Sequence, residues 1–270
     1  MRFPRDILAT AALAFAMTAG AAPGGGGKGL HTPTKEGPDI PPAYVGRDAL
    51  RQLVQNQCLV HWRDHKDPSP CESITLSSPQ PDSPGYAVLE DPQGGAHYLV
   101  VPLQTMSGTD SGELLDPDLP NYFADAWGAR SLLNKFVGHA VPRTAVGLAI
   151  NTARARDQNQ FNIHVECLRP DVFDALHAAA PHLTDQWSPV TVIGSTYQAM
   201  RIADSSLAAI NPFELLARLS PDARRHIESY TVLIAGMQYS DGAGFVILTS
   251  TGPTAELLLD PGCTVAGGGG

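Results

Sequence analysis

Charge is scarce in this chain. Asp, Glu, Lys and Arg make up 17% of its 270 residues, and the formal net charge is −9. No basic block and no arginine-rich aromatic platform interrupts that acidic balance, which argues against nucleic acid as the natural partner. Several catalytic signatures are missing as well. There is no Gly-x-Ser-x-Gly elbow, no Gly-x4-Gly-Lys-Ser/Thr phosphate loop, no His-Glu-x-x-His and no Ser-x-x-Lys. Their absence removes most rival hydrolases. No internal repeat is visible at a period of about 20 to 50 residues, so a repeat architecture is excluded. What remains is a chain with 43% hydrophobic residues, enough to bury a substantial core as one large domain or two small ones.

The N-terminus reads as an export signal. Arg2 and Arg5 form a short positive region, residues 7–17 are apolar, and Ala19-Gly20-Ala21 offers small residues at a cleavage site. The apolar run is shorter than the roughly 20 residues of a membrane span. Residues 1–21 are therefore expected to be a signal peptide or an N-terminal anchor, with the body in the cell envelope, at the inner membrane or in the periplasm. Residues 22–45, with Gly24 to Gly27 and Pro33, Pro38, Pro41 and Pro42, read as a flexible tether. The globular body is expected over 46–266.

That body predicts mixed α and β elements. Helical spacing runs through Leu50, Leu53 and Val54 over 48–60. Residues 86–89 and 96–103 form a hairpin around the glycine-containing loop 91–95. Pro120 opens an amphipathic helix that carries Phe123, Trp127, Leu133 and Phe136, and Gly138 ends it. A buried strand is expected over 145–150, and a helix capped by Asp171 runs to about residue 180. Strands near Val190 and over 197–202, helices over 212–219 and 221–229, and a last hairpin pairing 230–237 with 244–249 complete the list. Without strict βαβ alternation, the class is α+β.

The stretch Gln160-Phe161-Asn162-Ile163-His164-Val165 alternates polar and apolar residues with period two. Phe161, Ile163 and Val165 then face a core, and Gln160, Asn162 and His164 project from the opposite face. Cys167 shares the core side, which argues against a cysteine nucleophile. Arg154 and Arg156, just upstream, are the local cations available to a phosphate; their bland reading is a solvated turn. His97, His139 and His226 have no partners at informative spacing and read as surface or structural residues.

Around this strand lie Asn151, the run from Arg154 to Asn159, and Cys167-Leu168-Arg169-Pro170-Asp171. Farther off, in the same order, are Asp67-Pro68-Ser69-Pro70-Cys71, Tyr98-Leu99-Val100-Val101-Pro102 and Pro120-Asn121-Tyr122-Phe123. Together these segments resemble the bacterial CDP-diacylglycerol pyrophosphatases, a membrane-associated branch of the histidine-triad superfamily. The resemblance spans about residues 50 to 263. It implies a histidine-triad-like antiparallel sheet packed with helices, and hydrolysis of CDP-diacylglycerol to CMP and phosphatidate at the membrane surface, with no obligatory metal or organic cofactor. By that likeness Asn151, Arg154, Arg156, Gln158 and Gln160 hold substrate oxygens.

In histidine-triad enzymes the middle of three alternating histidines attacks the α-phosphorus. Matching the strand to that pattern puts Gln160 first, Asn162 in the nucleophile position and His164 third. An amide nitrogen is essentially non-nucleophilic, so impaired activity is expected, with His164 assisting a water. The alternative in a different class is a non-catalytic envelope binder of CDP-lipid or nucleotide.

Four cysteines in an exported chain suggest disulfides, and three pairings are open. The expected one joins Cys58 to Cys71 and Cys167 to Cys263. The competing reading is a zinc site built from Cys58, His61, His65 and Cys71.

Overall fold

A computed structural model describes residues 46–80, 83–252 and 254–267; the expected leader and tether lie outside the described residues. Ten strands form one antiparallel sheet: β1 (Ser73–Leu76), β2 (Gly85–Glu90), β3 (Tyr98–Pro102), β4 (Val146–Ile150), β5 (Ile163–Leu168), β6 (Ser188–Val192), β7 (Ser195–Ala203), β8 (Thr231–Tyr239), β9 (Gly242–Ser250) and β10 (Leu259–Asp260). Their order across the sheet is β1-β2-β3-β5-β4-β8-β9-β7-β6, with β10 paired to β5. The helices are α1 (Ala49–Leu53), α2 (Leu59–His65), α3 (Tyr122–Ala129), α4 (Leu133–Val137), α5 (Pro170–Ala179), α6 (Pro212–Ala217) and α7 (Pro221–Arg225). Strands joined by hairpins and longer excursions, with helices set on the sheet faces, make this an α+β fold.

Both expected hairpins are present, β2–β3 and β8–β9. Alternation accounts for their faces, since each strand turns every second side chain to one side. Within the signature strand, Ile163, Val165 and Cys167 join Phe161 in the largest apolar cluster, with Val100, Leu148 and Ile234 from the neighbouring strands. Helices α3 and α6 cover this face through Phe123 and Phe213. On the opposite face Ala149 and Leu168 pack with Val172 and Leu176 of α5. Leu99 packs there with Leu50 and Leu53 of α1 in a separate cluster. His164 pairs in register with Leu99 on one side and Ala149 on the other, so it emerges at the seam between the two clusters.

Several expectations shift. The first helix continues to His65 through a π-helical turn at Val54–Cys58, and the helix after Pro120 is interrupted by a 3-10 turn at Arg130–Leu132. Gly138 ends it as expected, at φ 80°, where glycine is favoured. Asp171 is not the cap of α5. Arg169 holds that position and Pro170 opens the helix, while Asp171 lies in the first turn and pairs with Arg169. The strand read over 160–165 is displaced toward the C-terminus, because Phe161 N donates to the loop carbonyl of Met106 rather than to a strand. Strands β1 and β10 were not foreseen. Each is short, and the pattern of neither stands out from its loops.

Both expected disulfides form, Cys58–Cys71 and Cys167–Cys263. With its two sulfurs bonded to each other, the proposed zinc set of Cys58, His61, His65 and Cys71 is overturned. Among the described residues no helix is long and apolar enough to cross a membrane.

Helix α3 carries a partly buried carboxylate whose burial pushes its pKa from 3.8 up to about 6, Asp125. It binds its proton more tightly folded than unfolded. Its contribution to stability is therefore intact below pH 3.8 and is lost as pH rises through about 6. Asp125→Asn is expected to stabilise the fold at pH 8 by about 1 kcal/mol, a figure reduced for solvent screening and for the favourable helix N-terminus. Near pH 4 it should change little. Urea titrations at the two pH values check this, and an equal effect at both would contradict it.

Candidate active site

The polar row on β5 does not begin where the alternation alone puts it. Gln160 is buried, and its Nε2 donates to the carbonyls of Pro102 (3.1 Å) and Gln104 (2.9 Å), while its Oε1 is buried without a partner. Only Asn162 and His164 of the expected three are partly open. Glu166 extends the row at the far end, almost fully buried. The row that shares the face is thus Asn162, His164 and Glu166, with the histidine in the middle.

His164 is held at both ring nitrogens. Its Nδ1 lies 2.9 Å from Nε2 of His97, and its Nε2 lies 2.8 Å from Oε1 of Glu256. His97 also approaches Glu166, with Nε2 3.1 Å from Oε1. Its Nδ1 faces Asp91 Oδ1 at 3.8 Å. The pairing of β3 with β5 sets Tyr98 opposite Val165 and Leu99 opposite His164. Continuing that register by one residue puts His97 opposite Glu166.

Burial pulls the His164 pKa down, but the hydrogen bond and charge of Glu256, then the charges of Glu166 and Asp91, outweigh it and the net shift is upward. Burial, aided by the nearby His164 charge, drags His97 down to about 4. Burial likewise pushes Glu166 up to about 8, against the pull of His164. Glu256 moves the other way. Burial would raise it, yet the hydrogen bond and charge of His164, with a hydrogen bond from Asn151, hold it at about 2. The upward shift of His164, with His97 and Glu256 both held low, favours a resting His164 imidazolium clamped between a Glu256 carboxylate and a neutral His97, whose Nε2 accepts from Nδ1–H.

Asn151 organises the segment that brings Glu256. Its Oδ1 accepts from Thr254 Oγ1 (2.7 Å) and from the backbone N of Ala255 (2.9 Å), and its Nδ2 donates to Glu256. Pairing of β10 with β5 and the Cys167–Cys263 bond hold the same tail against the histidine strand.

A small cleft opens at this point; Gly108, Asn151, Arg156, Gln160, Asn162 and His164 are among its lining residues. Arg156 is paired with Asp110 there. Of the expected substrate-binding residues, Asn151, Arg156 and Gln160 thus meet Asn162 and His164. Gln158 and Arg154 do not. Gln158 Oε1 accepts from the backbone N of Leu50 (2.9 Å) and ties α1 down, and Arg154 lines a separate hollow with Thr152 and Ser229.

The reading of His97 as a surface or structural residue without partners is corrected, since it is buried and lies against His164 and Glu166 in the site; Glu166 and Glu256 were not singled out by the sequence. The signal for Glu166 is its place in the same period-two row. For His97 it is the strand register, and for Glu256 it is a contact across more than ninety residues, which no local pattern carries.

Chemically, the arrangement supplies one oriented imidazole, a carboxylate to take or return its Nε2 proton, and amide and guanidinium donors for anionic oxygens. That donor set suits attack on a phosphate anhydride. A family model for CDP-diacylglycerol pyrophosphatase, a hydrolase, matches residues 45–267, and the chain belongs to that family.

Proposed function

We propose that this chain hydrolyses CDP-diacylglycerol to CMP and phosphatidate at the His164 cleft, acting at the membrane surface of the cell envelope after export through residues 1–21. The observation that carries the proposal is the two-sided clamp on His164 by His97 and Glu256. It fixes the ring's orientation, which a nucleophile or base needs more than proximity alone.

With Gln160 committed to two carbonyls, His164 takes the middle of the row, and Asn162 takes the first position instead of the second. The expectation that His164 only assists a water rested on its third position, and in this placement His164 is the nucleophile instead. His164 Nε2 attacks the α-phosphorus once substrate displaces Glu256 and that carboxylate has taken the Nε2 proton. The bond to the phosphatidate oxygen breaks, and water then hydrolyses the nucleotidyl-histidine to release CMP. Nδ1–H stays on His97 and stabilises the ring while it carries the phosphoryl group. Asn151 Nδ2, released from Glu256, and Arg156 supply donors to the pyrophosphate. Beyond the segment that bears Glu256, a larger groove includes Ile193, Tyr197, Leu219, Tyr230 and Leu257 in its lining, and its apolar side chains suit acyl chains.

CMP release from CDP-diacylglycerol in mixed micelles by the purified protein tests this reading. Binding of the lipid without release supports the non-catalytic alternative instead. Asn162→His separates the two placements of the row. With His164 in the middle the substitution should change the rate by less than about tenfold, because a neighbouring donor is worth only about 1 kcal/mol. A gain of several powers of ten would return the nucleophile position to residue 162.

A further inference from the structure

Nδ1 of His164, Nε2 of His97 and Oε1 of Glu166 converge, at mutual separations of 2.9, 3.1 and 4.0 Å. A single hydrogen bond between the two rings requires only the first of these distances. The triangle has a circumradius of about 2.0 Å, which matches zinc–nitrogen and zinc–carboxylate bond lengths. Its mean edge is close to the separation of about 3.4 Å between ligands on one face of a tetrahedral zinc. Two further features favour an ion here. Each ring turns its other nitrogen toward a carboxylate, His164 Nε2 to Glu256 at 2.8 Å and His97 Nδ1 to Asp91 at 3.8 Å. Outer carboxylates of this kind orient metal-bound histidines and raise their basicity. The second feature is charge. Glu166 is 3% exposed, and among the described residues its ion pairs are with the two imidazoles. The imidazolium of His164 already faces the Glu256 carboxylate, so an ionised Glu166 has no counter-charge of its own, and an ion at the centre of the triangle supplies one.

We infer that His97, His164 and Glu166 form a binding site for a divalent ion of the zinc class, with three protein ligands and a fourth position left for water or an anionic oxygen. Two imidazoles and one carboxylate are a donor set suited to zinc and its neighbours rather than to magnesium or calcium, which prefer oxygen ligands. The ion takes Nδ1 of His164 and replaces the proton shared with His97. The reaction proposed above keeps a proton on that nitrogen and attacks through Nε2, so the ion and the Nδ1 proton are alternatives, and metal binding is tested apart from turnover.

The test is a titration of the chelator-treated full chain with cobalt(II), free of nucleotide and lipid, so its outcome is independent of turnover. One equivalent should bind with the intense visible absorption of four-coordinate cobalt, and zinc should displace it. His97→Ala and Glu166→Gln should each weaken binding by at least about 100-fold, and Glu256→Gln by about 10- to 100-fold through the outer carboxylate. Far-UV circular dichroism checks that each variant is folded; Glu166→Gln, nearly the same size as the native residue, decides the matter if His97→Ala is not. Replacing the exposed His61 and His65 together by Ala should leave affinity unchanged. The site is overturned if the wild type binds no cobalt, if folded Glu166→Gln binds it as tightly as the wild type, or if the double replacement at 61 and 65 removes it.

Discussion

His164→Ala is expected to lower CMP release by about four or more powers of ten, the scale on which removal of a covalent nucleophile acts. His164 is the imidazole that lines the cleft, and no cysteine is free to replace it, since all four are in disulfides. Its partners should matter less. Glu256→Gln keeps the size and the hydrogen-bonding reach of the side chain but removes the base that accepts the Nε2 proton, for an expected loss of about 10²- to 10⁴-fold. The measurement is release of labelled CMP under saturating lipid, with circular dichroism to confirm the fold. A His164→Ala protein within tenfold of wild type would move the chemistry elsewhere on the chain.

Replacing Cys167 and Cys263 by Ala is the substitution with the largest expected effect on stability. The bond closes a loop with a sequence separation of 96 residues, against 13 for Cys58–Cys71. In the chain-entropy account the longer loop contributes roughly 2 kcal/mol more, and loss of such a bond costs about 2–5 kcal/mol. The expected fall in melting temperature is about 5–15 °C for a body of this size. Function should suffer with it. The same bond anchors the tail that sets Glu256 against His164, so the double variant should lose activity at temperatures where it is still folded. Calorimetry of the two double-cysteine variants checks the order, and an equal or larger loss from the Cys58–Cys71 pair would contradict it.

Local pattern explains which parts of the molecule were legible. The β2–β3 and β8–β9 hairpins follow from short apolar runs on either side of glycine-bearing loops, and the pairing within each hairpin is close in sequence. The helix break at Gly138 follows from backbone freedom. The site was legible on one strand only. Alternation identified Asn162 and His164, but it could not distinguish a ladder residue from Phe161, which lies before the strand and is bonded to the loop carbonyl of Met106. That single difference shifts the polar row by two residues and changes which residue stands in its middle. His97 needed the register between β3 and β5, strands more than sixty residues apart. Glu256 needed the fold of the tail, fixed by Asn151, β10 and a disulfide. Polar residues that meet only through long-range pairing leave no periodic trace.

The central claim is that His164 carries the nucleotidyl group, and the stereochemical course at the α-phosphorus tests it most directly. Each in-line displacement at phosphorus inverts its configuration. A route through nucleotidyl-His164 comprises two displacements, so hydrolysis of a single α-thio diastereomer of CDP-diacylglycerol in ¹⁸O-enriched water should proceed with net retention, whether or not the intermediate accumulates. Net inversion would show direct attack by water and contradict His164 as the nucleophile.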